Sequence, residues 1–168
     1  GIIWGLSHQN ALSNLEAASF DIRHLAFAPE TKASEDIVMV WLDEPTMAAL
    51  PFRSPVPRDF LATLTDALVE RKPLLIGYDI FFADPSFEKG DQALAKSLKK
   101  GKSYAVVPRR ETGEVDLPLP IFYESLTGVG LADLPFNPFD ATIRKAQFRF
   151  DENKGVSRSF AAQLYEAA

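Results

Sequence analysis

Charged side chains at the ends of apolar runs are the residues of this chain best placed to do chemistry. Asp43 and Glu44 close the run Ile37-Val38-Met39-Val40-Trp41-Leu42, and Asp79 closes Leu74-Leu75-Ile76-Gly77-Tyr78. In open parallel sheets, ligands bind outside the carboxyl ends of the strands. If these runs are adjacent strands about 4.8 Å apart, Asp43 and Asp79 face one another. Two close carboxylates bind a cation, share a proton or hold an arginine. Arg58 opens the helix that follows a Pro-rich loop and sits beside the same rim, which Asp140 and Arg144 reach from the C-terminal half. The candidate ligand-binding residues are therefore Asp43, Glu44, Arg58, Asp79 and Arg144. Asp84 and Asp140 are expected to act as structural ion-pair or turn residues. A buried ion-pair network that only fixes loops competes with ligand recognition, and the residue types alone leave metal binding open.

The parts of a catalytic centre are missing from the sequence. There is no Gly-rich phosphate loop, no Gly-x-Ser-x-Gly elbow and no His-Glu-x-x-His motif. With 0 Cys there is no thiol nucleophile, disulfide framework or thiolate metal site. His8 and His24 both fall on the N-terminal helix and read as solvated or capping residues. The domain is expected to be non-enzymatic and to need no cofactor.

The elements that position these residues follow from periodicity. Leu12, Leu15, Ser19, Ile22 and Ala26 recur at alternating spacings of three and four, which predicts a helix over 7–27, ended by Pro29. Its narrow stripe suits docking on the domain or a homodimer. The run 37–42 has no alternation and reads as a strand buried on both faces, with Met39 in the core. The loop with Pro45, Pro51, Pro55 and Pro57 leads to a helix whose Phe60, Leu61, Leu64, Ala67 and Leu68 share a face. A second strand is expected over 74–78, then a helix over 92–99 capped by Asp91, then a third strand over 103–107. A short strand follows within 128–134. Residues 143–150 alternate apolar and polar at most positions, as an antiparallel or edge strand does. A helix is predicted over 157–168. Phe136, Phe139, Phe148 and Phe150 are expected to form core or line a pocket.

The fold class is therefore α/β. A central, mainly parallel sheet with a β-α-β-α-β core carries an antiparallel or edge extension and flanking N- and C-terminal helices. A length of 168 residues suits a single domain, taken as 7–168, and 46% hydrophobic residues with 13 Phe can fill its core. Charged residues at 24% exclude a disordered chain. The net charge of −5 opposes binding to nucleic acid, and the densest basic cluster, Lys96, Lys99, Lys100 and Lys102, sits where a helix end favours cations. Residues 1–6, Gly-Ile-Ile-Trp-Gly-Leu, are too few to span a bilayer. They read as a segment at a membrane interface, a frayed turn or a cloning remnant.

Taken in order from Asp21 to Phe160, these pieces resemble the CHASE2 family of extracytoplasmic sensor domains. The resemblance rests on Asp21-x-Arg23, the apolar run ending Leu42-Asp43-Glu44, and Pro55-x-Pro57-Arg58 before a helix. It continues through Gly77-Tyr78-Asp79-Ile80-Phe81-Phe82, Asp91-x-x-Leu94-Ala95 and Val106-Val107-Pro108. Gly130, Asp140 with Arg144, and Ser159-Phe160-Ala161 complete it. The chain departs from the family pattern at Trp41, Ser54, Val56 and Ala141.

The resemblance implies a sensor held on the periplasmic side of the bacterial inner membrane, within a membrane-embedded receptor. Residues 1–6 would be the outer end of the first of its flanking transmembrane helices, which would relay an unidentified stimulus to a cytoplasmic cyclase or kinase. The stimulus would be a small molecule or another envelope protein. Two alternatives stand beside this reading. One is a small α/β hydrolase using Asp43 and Asp79 on a divalent cation. The other is an envelope protein-interaction domain that docks through the Pro-rich loop.

Overall fold

The computed structural model describes residues 2–29, 32, 34–135, 140 and 142–168, with side chains from Leu15 onward. It divides into two compact units, Gly1–Trp41 and Leu42–Ala168. In the first unit, helix α1 (Ile2–Phe27) takes in the expected helix and most of the short apolar segment before it. Leu15 and Ile22 on its predicted stripe are 68% and 67% exposed. His24 stacks on Phe20, with ring centroids 5.9 Å apart. Among the described residues, no helix is long and apolar enough to cross a membrane.

The run 37–41 departs from expectation. Its residues form no strand ladder, and Ile37, Val38, Met39, Val40 and Trp41 are all exposed, Val38 to 82%. Met39 is thus not a core residue. Apolar content tells what a segment gains by burial, but a strand also needs a neighbouring edge to complete its hydrogen bonds.

In the second unit the sheet forms without this run and includes a segment with a weaker apolar signal. Strands β1 (Ile76–Tyr78), β2 (Ser103–Val107) and β3 (Gly128–Leu131) form a parallel sheet in the order β1-β2-β3. Tyr78 pairs with Ala105, and Val107 with Leu131. The β-α-β-α-β core is therefore present but displaced by one strand along the sequence. The Pro-rich segment carries a short helix α2 (Glu44–Ala49), where only loop was expected. Helix α3 (Arg58–Glu70) precedes β1, α4 (Glu88–Leu98) joins β1 to β2, and α5 (Pro120–Tyr123) lies between β2 and β3. Asp91 is not the cap of α4 but lies in its first turn, where the caps' orphan amides favour a carboxylate. Strands β4 (Arg149–Asn153) and β5 (Val156–Arg158) form the antiparallel extension, and α6 (Phe160–Ala167) closes the chain.

Alternation along β1 decides which layer lies on which face. Ile76 and Tyr78 join Leu61 and Ala62 of α3, Leu94 and Leu98 of α4, Phe82 and Phe122 in one buried cluster. Tyr78 also exchanges a 2.9 Å hydrogen bond with the Thr65 hydroxyl of α3, so its phenol is satisfied inside that cluster. Gly77 points the other way, where a Cβ would stand 2.9 Å from Leu164 of α6. At Gly130 a Cβ would stand 2.5 Å from the Phe160 Cα, so glycine is what lets the α6 backbone lie directly on β3. The sheet is therefore layered between α3 and α4 on one face and α6 on the other. A smaller cluster of Val107, Val115, Leu131 and Val156 packs the antiparallel extension against the strand ends.

Candidate functional site

The carboxyl ends of the strands carry two arginine centres. Arg58 is the first residue of α3, placed there by Pro57, which cannot continue a helix backwards. It is 2% exposed, and its guanidinium carbon lies 5.1 Å from the Phe82 ring centroid and 5.4 Å from that of Phe122. NH2 donates to the Asp84 carbonyl at 3.2 Å, and Nε stands 3.7 Å from Asp91 Oδ1. Among the described residues, Nε and NH1 of Arg58 and Oδ1 of Asp91 have no hydrogen-bond partner. Asp91 Oδ2 accepts from the Ser86 amide at 3.0 Å, which holds the carboxylate in place.

Two local preferences are broken here. A cation sits at the positive end of a helix, and a buried guanidinium uses only part of its donor capacity. Burial pulls the Arg58 pKa below the ordinary arginine value, against the opposing charges of Asp91 and Asp84. The aromatic faces and the two acidic residues offset that cost in part. Such breaks of local rules are expected where function outweighs stability.

The second centre lies at the ends of β2 and β3. Arg109, two residues after β2, bridges Asp133, two residues after β3, with NH2 2.5 Å and Nε 2.6 Å from Oδ2. Both side chains are 25% exposed, and the guanidinium lies 4.6 Å from the Phe150 ring centroid. Sequence reasoning gave Arg109 and Asp133 no site role and took Asp91 only for a helix cap. The strand-end rule that picked out Asp79 also reaches Arg109 and Asp133, once residues 128–131 are seen as a core strand.

The other sequence-predicted residues each have a local role. Asp43 caps α2: the Thr46 amide donates to it at 3.0 Å and the Thr46 hydroxyl at 2.5 Å, and these bonds hold its carboxyl below the usual carboxylate range. Glu44 pairs with Arg53 at 2.6 Å on the surface. Asp140 receives both Arg144 NH2, at 2.6 Å, and NH1, at 3.1 Å. That fork, with the Thr142 amide, lowers the Asp140 pKa to about 2. Asp79 is exposed at the end of β1 and has no hydrogen-bonded or ion-paired partner among the described residues. Asp84 hydrogen-bonds Arg58 through its carbonyl, while its carboxylate acts only as a nearby charge. The structure thus ties Arg58 to Asp84 and Asp91, and Arg144 to Asp140, instead of drawing the five candidates onto one point.

Of the aromatic residues, Phe82 is core, whereas Phe81, Phe87 and Phe148 are exposed. Phe136 and Phe139 lie outside the described residues. Among the described residues, no group of three or more His, Asp or Glu is arranged to hold a metal ion.

No curated protein and no solved structure matches the chain. Its sequence does match the profile of the CHASE2 domain over residues 1–168, the whole length. The chain therefore belongs to the CHASE2 family, whose members are sensor domains of signalling receptors.

Proposed function

We propose that this domain is the extracytoplasmic input module of a bacterial membrane receptor, and that its stimulus acts at the carboxyl rim of the parallel sheet. The observation that carries the reading is the Arg58 centre. A buried guanidinium with two unpartnered nitrogens, 3.7 Å from an equally unpartnered carboxylate oxygen, has a second arrangement within reach. Closing the Arg58–Asp91 gap by about 0.8 Å gives a charge-assisted hydrogen bond of ordinary length. Because Arg58 also holds the Asp84 carbonyl, the segment between β1 and α4 moves with it. A stimulus that binds one arrangement better shifts the population towards it, and flanking membrane helices pass that shift to the cytoplasmic output. Asp79, exposed on the same segment, is the carboxylate free to meet a small ligand.

Two measurements test this. Fusions ending at Ala168 in the full-length receptor should give active alkaline phosphatase and dark green fluorescent protein. The reverse pattern rejects an extracytoplasmic location. A thermal-shift screen of the chain against metal ions, small metabolites, peptides and envelope fragments should find a stabilising compound. At 100 times Kd it adds about 2.7 kcal/mol, and Asp79→Ala or Arg58→Met should abolish the effect.

A second reading, docking of another envelope protein, is favoured by the exposed apolar run 37–41. Absence of any small-molecule hit, with cross-linking of an envelope protein through this run, decides for it. A homodimer through α1, whose Leu15 and Ile22 are exposed, is checked by sedimentation velocity.

A further inference from the structure

The amino ends of the strands, opposite the arginine rim, gather cations in a protein that is acidic as a whole. Arg71 and Lys72 lie in the connection from α3 to β1, Lys96 and Lys99 at the end of α4, and Lys100 and Lys102 in the connection to β2. All six are exposed. They are six of the 18 Lys and Arg residues of the chain. Lys72, Lys100 and Lys102 border one shallow cleft of about 270 Å³, and Lys96 and Lys99 border a second of about 330 Å³. Asp66 ties the two groups together, since it pairs with Lys100 at 2.7 Å and feels the charge of Lys96. Set against Asp66, Glu70 and Glu124, and with Glu166 neutralised by Arg158, the six cations leave this end at +3, so a net charge of −5 leaves −8 on the rest. Arg71, Lys72, Lys96 and Lys99 have no ion-pair or hydrogen-bond partner among the described residues.

Helix α6 ends at the same place, because the Lys102 ammonium donates to the Ala167 carbonyl at 3.5 Å. We infer that this lysine-rich end is the face the domain turns to the bilayer, where it docks on anionic phospholipid headgroups. The inference rests on the proposed extracytoplasmic reading, in which the chain continues from α6 towards the membrane. Cations spread across two shallow clefts suit several headgroups at once, rather than one small anion. The charge asymmetry orients the molecule, since an anionic surface attracts this end and repels the remainder within a Debye length of about 10 Å. Docked this way, the domain presents Arg58, Asp79 and Arg109 away from the lipid, open to the extracytoplasmic space.

The test is co-sedimentation of the 168-residue chain with vesicles of phosphatidylglycerol in phosphatidylcholine, against pure phosphatidylcholine. Binding is expected only to the anionic vesicles and should fall steeply as salt is raised. Each lysine contributes about fivefold, so Lys72→Gln/Lys96→Gln/Lys99→Gln should lose roughly a hundredfold. Lys89→Gln/Lys145→Gln/Lys154→Gln changes the net charge equally but spares this end, and should retain its binding. Equal losses in the two triple variants overturn the inference, as does equal binding to both vesicle types or none to either. Millimolar inorganic phosphate that saturates at one site and blocks vesicle binding overturns it too, in favour of a small-anion site. The reporter fusions speak only to location and the vesicles only to this surface, so failure of one reading is distinguishable from failure of the other.

Discussion

Replacing Arg58 separates packing from charge in the most buried ionic group of the second unit. Arg58→Ala removes a charge-assisted hydrogen bond to the Asp84 carbonyl, worth about 1.5–3 kcal/mol, and the contacts with Phe82 and Phe122. It also leaves a void and a carboxylate at Asp91, 7% exposed, without its counter-charge. Removing one partner of a buried pair costs about 3–5 kcal/mol, and that is the expected loss. Arg58→Met keeps an unbranched apolar stem between the two rings and relieves Nε and NH1, whose unpartnered burial costs about 1–3 kcal/mol per group. It leaves the Asp91 carboxylate unpaired as alanine does, so its loss should be about 2–3 kcal/mol, smaller than alanine's by the packing retained and the donors relieved. Arg58→Met/Asp91→Asn should fall within about 1 kcal/mol of the parent, because the carboxamide oxygen still accepts from Ser86.

Urea unfolding at neutral pH measures the series. The signal should be near-UV circular dichroism of the buried Tyr78 and Tyr104, which lie on β1 and β2 of the second unit. The order Ala, then Met, then the double variant, from most to least destabilised, is the prediction. Arg58→Met as damaging as Arg58→Ala would refute the reasoning, since the charge rather than the packed stem would then carry the stability. So would an Arg58→Ala variant within 1 kcal/mol of the parent, well under the usual cost of breaking a buried pair.

Two further outcomes follow from geometry. Gly130→Ala drives a Cβ into the Phe160 backbone, which has no rotamer to give way, so it should cost about 3 kcal/mol or more and free α6 to exchange its amides faster. Gly113→Ala, with φ +84° and open space around it, should cost only about 1 kcal/mol from backbone strain, and equal losses would refute the close-approach argument. The Asp140 carboxyl should titrate near pH 2 by NMR and return towards 3.8 in Arg144→Gln. Its native pKa is depressed, so its stabilising contribution is complete above the unfolded value near 3.8 and disappears as pH falls through about 2. An unchanged midpoint in the variant would show that Arg144 is not the cause.

Much of the fold was legible because its signals are local. The stretch 103–107, uninterrupted by turn residues, becomes β2, and the apolar stripe after Pro57 becomes α3. The chemistry was less legible. Asp79 and Arg58 were found by their place at strand and helix ends, yet the partners of Arg58 lie 26 and 33 positions away, as Asp84 and Asp91 do. Nothing in the spacing shows that Phe82 and Phe122 close over the same guanidinium. Asp43 and Glu44 looked like rim carboxylates, but a Thr three residues after an Asp supplies a helix cap, and that local hydrogen bond took precedence.

The sequence by itself determined the family, the α/β class, the four longer helices α1, α3, α4 and α6 and the cationic end of α4 with its connection, because these depend on periodicity and the order of motifs. Only the tertiary structure decided which apolar segments became sheet. Residues 37–41 carry the stronger apolar signal, yet the third strand is Gly128–Leu131, whose glycines admit α6 at backbone distance. Strand membership is settled by which edge is within reach and what can pack on the face it creates. Those are relations between distant segments, and no single run of residues contains them.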